Sequence, residues 1–313
     1  MLYVTTKSIN DVYTANRTLC ADKALDGGLF IPYRMPAFSK TDLDTVLGGS
    51  FNETVANVLN QFFPVHLSGW DIAFAVGKFA KISSLGQKIV IAELWHNHDA
   101  DFASTEKKLF ALIGGAENKS PSQWFGIVIQ IAVLFGVYGE LVRGDLLVRG
   151  QKLDVSVNIG NTAEVAAVLY AKQIGLPVGS VIYACDENSI VWEFFRRGSI
   201  NMSTLASVEQ NVADLLERIV YSLLGQDEAL RFRTLLDNGG VYRVSAEHLE
   251  LLTDEMFAAA VGKTRLDSVI RSVKRTDNYQ ISTYTARSLG GLQDFRASIG
   301  ESRTALLFSV QAD

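Results

Sequence analysis

Leu153-Asp154-Val155-Ser156-Val157, then Asn158-Ile159-Gly160-Asn161, then an alanine- and valine-rich stretch over 162–174 closed by Gly175 and Pro177, then Val181-Ile182-Tyr183-Ala184-Cys185: this run decides the fold. Its first and last pieces have the apolar patterning of strands, the second is a turn, and the third has helical composition with a glycine stop. Strand, helix and strand in this order make a βαβ unit, with parallel strands and a right-handed crossover. Parallel strands are covered on both faces, so the predicted class is α/β, a parallel-sheet core covered by helices.

Upstream, 124–139 carries no charge: Trp-Phe-Gly-Ile-Val-Ile-Gln-Ile-Ala-Val-Leu-Phe-Gly-Val-Tyr-Gly. It stops at Glu140 and Arg143, short of the roughly 20 apolar residues that a membrane span needs. Ser120 at the N-cap, Pro121 at N1 and Gln123 at N3 give it the start of a capped helix. Apolar on every face, it is expected against the sheet and nearly inaccessible.

The segment 1–80 is predicted to be mostly helical and packed on an α/β core over 81–313. Leu2 and Val4 alternate with polar neighbours as in a short strand, and Asp26-Gly27-Gly28 turns into Leu29-Phe30-Ile31-Pro32. Ser39 with Asp42, Ser50 with Glu53 and Ser68 with Asp71 each place a hydroxyl cap and an acid three residues later. A buried strand is predicted over 88–94, helices over 205–224, 227–237 and 264–273, and a terminal strand over 305–310.

The 313 residues are 48% apolar and 20% charged, with a net charge of −5. That excludes disorder, and without a basic block it excludes a nucleic-acid footprint. Two cysteines, Cys20 and Cys185, cannot staple a chain of this size and read as small core residues in a reduced compartment. Met1-Leu2-Tyr3-Val4 lacks the features of a secretion signal, so a cytoplasmic location is expected.

Gly160-Asn161-Thr162 ends a strand and opens a helix, at the edge where open α/β sheets hold ligands and helix-terminal amides bind phosphate. The same turn serves any strand-to-helix junction, so an anion site and a structural turn both stand as readings. His96-Asn97-His98-Asp99-Ala100-Asp101 is the densest polar cluster, with Glu93 close by. His and carboxylate together suit zinc, but the spacing is not that of a closed site and a polar loop explains the same residues; no metal is expected. His66 and His248 read as surface or core residues. A Gly-x-Ser-x-Gly elbow, a phosphate-binding P-loop and a Cys-x-x-Cys pair are all missing from the sequence.

Tyr3-Val4-Thr5-Thr6 followed by Asp26-Gly27-Gly28-Leu29-Phe30-Ile31-Pro32 resembles the N-terminus of threonine synthases, which carry a D-G-G-L-(F/Y)-(V/I)-P element. Ile91-Ala92-Glu93-Leu94-Trp95-His96 is similar to the start of that family's E-L-(F/W)-H-G-P-(T/S)-x-(A/S)-F-K-D motif. Val155-Ser156-Val157-Asn158-Ile159-Gly160-Asn161-Thr162-Ala163 resembles its strand and turn ending in S-G-N-F-G, and Ala171-Lys172-Gln173-Ile174-Gly175-Leu176-Pro177 fits its (A/K)-x-x-G-L-P. The motifs keep the family order over most of the chain. The resemblance implies the large domain of the type II fold of pyridoxal-phosphate enzymes, and in the family the conversion of O-phosphohomoserine to threonine and inorganic phosphate.

Departures from the family pattern shape the functional expectation. Ala103, after Phe102, stands where the Schiff-base lysine belongs, and alanine cannot form an imine. Asn97 and His98 replace the Gly-Pro, and Ala163 replaces the last glycine of the phosphate cradle, where a Cβ crowds a bound phosphate. Thr283-Tyr284-Thr285-Ala286 stands in place of P-H-(T/A)-A-V, while Ser309 matches a threonine of the terminal strand motif. The stretch over 109–113 runs through Gly114-Gly115-Ala116-Glu117-Asn118 straight into Ser120-Pro121, so the family's small cofactor domain, with its S-G-D-T-G loop, has no room near 114–119.

The expectation is a threonine-synthase-like protein that has lost pyridoxal-phosphate catalysis and acts as a ligand-binding or interaction protein. Its ligand would be phosphate or a phosphorylated small molecule at Gly160, Asn161 and Thr162; no cofactor, nucleic acid or membrane is expected. Loss of the small domain would leave an apolar face for a homodimer or another protein to cover. The alternative is a divergent threonine synthase or lyase acting on a phosphorylated amino acid such as O-phosphohomoserine. It would draw acid/base chemistry from His96, His98 or Asp99, or hold pyridoxal phosphate on a relocated lysine, Lys107, one helical turn beyond Ala103.

Overall fold

The computed structural model describes residues 1–86, 88–97, 99–116, 118–207, 210–300 and 302–310. Its N-terminal segment opens with β1 (Leu2–Thr5), paired antiparallel with β2 (Tyr13–Thr14) and with β3 (Phe30–Pro32); the single turn α1 (Ala15–Thr18) lies between these two partners. The helices α2 (Lys40–Gly48), α3 (Phe51–Phe62) and α4 (Gly69–Val76) start at Ser39, Ser50 and Ser68, each with the full capping box. At Ser50, for example, the backbone amide donates to Glu53 Oε2 at 2.7 Å while Glu53 N donates back to Ser50 Oγ at 3.4 Å. Each box satisfies two of the amides that a helix start leaves without partners.

The core begins with β4 (Lys81–Ser84), β5 (Ile89–Glu93), α5 (Phe102–Leu112), α6 (Gln123–Arg143), β6 (Leu153–Asn158), α7 (Thr162–Gln173) and β7 (Val178–Cys185). It continues through α8 (Ile190–Arg197), β8 (Ser199–Asn201), α9 (Met202–Ser207), α10 (Gln210–Leu224), α11 (Gln226–Asn238), β9 (Val241–Arg243) and α12 (Ala246–Glu255). It closes with β10 (Met256–Ala260), α13 (Lys263–Thr276), α14 (Thr283–Ile299) and β11 (Ala305–Ser309). The helix expected over 205–224 is therefore two helices, with 208–209 between them outside the described residues.

Six strands form one sheet in the order β10-β7-β6-β11-β5-β4, parallel except for the edge strand β4. The βαβ unit of β6, α7 and β7 lies inside it, with Val155 opposite Val181 and Val157 opposite Tyr183. Alternate residues serve two cores. In β5, Val90 and Ala92 join the larger cluster with α3, α6 and α7, while Ile91 joins the smaller one under α13 and α14.

All six residues of β6 are buried although every second one is polar. Its polar face meets α14 through specific bonds: Ser156 Oγ donates to Ser288 O at 2.7 Å and Asn158 Nδ2 to Tyr284 O at 3.1 Å. Close approach of α14 requires Gly291, where a Cβ would lie 2.9 Å from Ala184 Cβ and 3.1 Å from Ala259 Cβ. Gly291→Val is therefore expected to destabilise the fold by about 1–3 kcal/mol through overpacking, read as a lower urea midpoint with an unchanged slope.

Helix α6 lies between α3 and α7, with 16 of its 21 residues buried. It is the one described helix long and apolar enough to cross a membrane, and 83% of its most apolar window is buried within the protein. Its cap is Ser122, two residues later than expected. The reason is tertiary: Ser122 N donates to Leu19 O at 2.8 Å and Gln123 N to Asp22 Oδ1 at 2.6 Å. Those anchors hold Ser122 at the helix entrance and leave Ser120 and Pro121 outside. The exposed apolar side chains include the α4 pair Trp70, 85% exposed, and Phe74, 94% exposed.

Candidate functional site

A cavity of about 560 Å³ opens beyond the carboxyl ends of β6 and β11, between the N-termini of α5 and α7 and beside α6. This is the crevice where open α/β sheets place their ligands. Ala103 and Glu106 line it from α5, Gly126 and Gln130 from α6, and the turn 160–163 from the start of α7. A Cβ on Gly126 would lie 3.6 Å from Glu106 Oε1 and 3.9 Å from Ala163 Cβ. The carboxyl group of α5 and the first turn of α7 thus converge on one stretch of α6.

Gly160, Asn161 and Thr162 all line this cavity. The Asn161 side chain caps α7, accepting from Glu164 N at 3.2 Å. Asn158 engages two of the turn's amides: Gly160 N donates to its Oδ1 at 2.9 Å and Asn161 N to its carbonyl at 3.0 Å. The amides of Thr162 and Ala163 are left without a partner among the described residues. They form the positive end of α7 on one wall of the cavity.

The rest of the lining is rich in acceptors. Asp101 caps α5, with its Oδ1 accepting from Ser104 N at 3.0 Å, and Asp22 receives Gln123 N. Burial and, secondarily, the charge of Asp101 push the Glu106 carboxyl up to about 7. Gln130 is 3% exposed, and its Oε1 has no partner among the described residues. Among the described lining residues there is no lysine, arginine or histidine. Beside the cavity wall, Glu164 is buried with neither oxygen in a well-formed hydrogen bond; burial raises its carboxyl to about 8, and the Tyr284 hydroxyl that faces it only partly offsets this.

The other sequence candidates lie elsewhere. His96 Nε2 is 2.7 Å from Glu93 Oε2, and its ring stacks on Trp95. Glu93 also accepts from Tyr279 Oη at 2.9 Å and pairs with Lys81 at 3.3 Å. Asp99 pairs with Lys108 at 2.7 Å, Lys107 is exposed, and His98 lies outside the described residues. His96, Asp99 and Lys107 do not line the cavity. No group of three His, Cys, Asp or Glu side chains among the described residues is placed to hold a metal.

Sequence reasoning missed Glu106 and Gln130. Both had a signal: Glu106 follows Ala103 by one helical turn, and Gln130 is the lone amide in the uncharged run 124–139.

Residues 2–76 match the family model for the threonine synthase N terminus. Threonine synthase of Corynebacterium glutamicum is 32% identical over 131 residues, covering 38% of this chain and 27% of that protein. Human threonine synthase-like 1 is 22% identical over 198 residues, 60% of this chain and 26% of its own length. The chain thus spans about a quarter of the length of these relatives. Over 100% of this chain and 89% of the other, the fold matches PLP-bound threonine synthase from Brucella melitensis with a TM-score of 0.79 at 16% identity. Yeast threonine synthase matches with a TM-score of 0.78 at 16% identity, over 99% of this chain and 87% of its own. The chain is a divergent relative of the threonine synthases.

Within this threonine synthase fold, three of the positions singled out by the family motifs fall at the starts of α5 and α14 and at the end of β11. Ala103 sits in the first turn of α5 on the cavity wall. Thr283-Tyr284-Thr285-Ala286 opens α14, where Thr285 Oγ1 donates to Phe308 O at 2.8 Å. Ser309 ends β11 and accepts from Trp95 Nε1 at 3.2 Å. Helices α5 and α6 are joined over 113–122, ten residues of which Glu117 is outside those described.

Proposed function

We propose that this threonine synthase relative has lost the pyridoxal-phosphate reaction and uses the cavity between α5, α6 and α7 to bind a small ligand. One observation carries the reading: the wall that would need an amine to anchor the cofactor presents the methyl group of Ala103, with Glu106 and Asp101 beside it and no cationic side chain in the described lining. An imine needs a lysine, and a phosphate monoester is repelled by carboxylates that have no cation in the described lining to offset them. Pyridoxal phosphate therefore does not fit these residues. The two free thiols, Cys20 and Cys185, suit a reducing cytoplasmic location.

A second reading has its own support in the unpartnered Thr162 and Ala163 amides, which suit a phosphate group. On it, the chain is a lyase acting on a phosphorylated amino acid such as O-phosphohomoserine. Incubation of the purified chain with O-phosphohomoserine and pyridoxal phosphate separates the two. The first reading expects neither threonine nor inorganic phosphate above the protein-free control; production of both at a rate proportional to protein would establish the second.

A further inference from the structure

We propose that the cavity binds a small organic cation bearing a primary ammonium group, held by Glu106, Asp101 and Gln130. The assignment rests on the reading that the cavity no longer serves pyridoxal phosphate, and it names the ligand class by the donors that the wall lacks. Gln130 is a buried amide, 3% exposed, whose Oε1 faces no donor although it belongs to the cavity lining. Buried acceptors are rarely left in this state without a missing partner. Glu106 has no hydrogen bond or ion pair among the described residues, and Asp101 commits Oδ1 to Ser104 N. The wall therefore offers acceptors in excess, and a primary ammonium brings three N–H donors and one positive charge.

Two further features restrict the choice. The absence, among the described residues, of a three-membered ligating group sets a compact metal ion aside. Both walls are helix starts, but α5 is capped by the carboxylate of Asp101 and carries Glu106, whereas α7 is capped by the neutral Asn161 and its Thr162 and Ala163 amides have no partner among the described residues; the negative charge therefore places a cation on the α5 wall. There Ala103 leaves space one helical turn from Glu106, within reach of a side-chain ammonium placed at 103.

The test is calorimetry and thermal melting of the full chain at about pH 8, where Glu106 is mostly ionised. Propylammonium chloride is compared with tetramethylammonium chloride and inorganic phosphate at equal ionic strength. Propylammonium should raise the melting temperature saturably, while tetramethylammonium, with the same charge and no N–H, should not. Glu106→Gln should weaken propylammonium binding at least tenfold. Ala103→Lys should melt higher than wild type and no longer respond, because its own ammonium pairs with Glu106; this variant carries the test if Glu106→Gln does not fold by circular dichroism. Equal responses to both ammonium salts, a response to phosphate alone, or undiminished binding in both variants would overturn the assignment. A cofactor adduct on a lysine would remove the underlying reading as well, whereas a chain that takes neither cofactor nor propylammonium refutes the ligand class alone.

Discussion

Glu164→Gln should stabilise the protein by about 3–5 kcal/mol at about pH 9 and by under about 1 kcal/mol at about pH 5. Glu164 is 1% exposed, and burial raises its carboxyl from 4.5 to about 8. A carboxyl whose folded value lies above its unfolded one binds its proton more tightly in the native state. Native stability therefore falls as pH rises through the window between those two values, and above it the full cost of a buried carboxylate is present. Glutamine keeps the shape and a polar end toward Tyr284 but has no charge to desolvate. Urea unfolding of both proteins across this pH range reads the effect; a difference that does not grow with pH would show that Glu164 is not held neutral.

Ala103→Lys should leave threonine formation at the protein-free rate, although it returns the amine that the family motif calls for. The new side chain would extend from the first turn of α5 toward Glu106 and Asp101. Adjacent carboxylates favour the ammonium over the free amine, and only the free amine attacks an aldehyde. On the proposed reading, substrate positioning is not restored by the amine either, since α5 passes to α6 directly over 113–122. Assays with O-phosphohomoserine and pyridoxal phosphate check this; threonine accumulating with the variant and not with wild type would show that the amine was the sole loss.

Local chemistry was legible in the sequence wherever the partners are near neighbours. The boxes at Ser39, Ser50 and Ser68 need only a residue three places away, and each formed as read. The βαβ unit was legible because its turn and its glycine stop are local too. The start of α6 was displaced by two residues because Leu19 and Asp22, about a hundred positions earlier, fix Ser122. The alternation in β6 did not announce burial on both faces, since the cover for its polar side is supplied by Ser288 and Tyr284 of α14. At the site, the turn 160–162 was found from its place at a strand end. The His96 cluster drew attention by composition, but His96 is engaged with Glu93 away from the cavity. Glu106 and Glu164 acquire their character from burial, which no short stretch of sequence displays.

Whether this chain still anchors pyridoxal phosphate is read by incubating the wild-type chain with the cofactor, recording the absorption spectrum, reducing with borohydride, and mapping any adduct by mass spectrometry. No aldimine band and no modified lysine in α5 are expected, with only the sparse labelling of exposed surface lysines found for any protein. A stoichiometric adduct on Lys107 or Lys108, accompanied by a yellow preparation before reduction, would contradict the loss of that anchor.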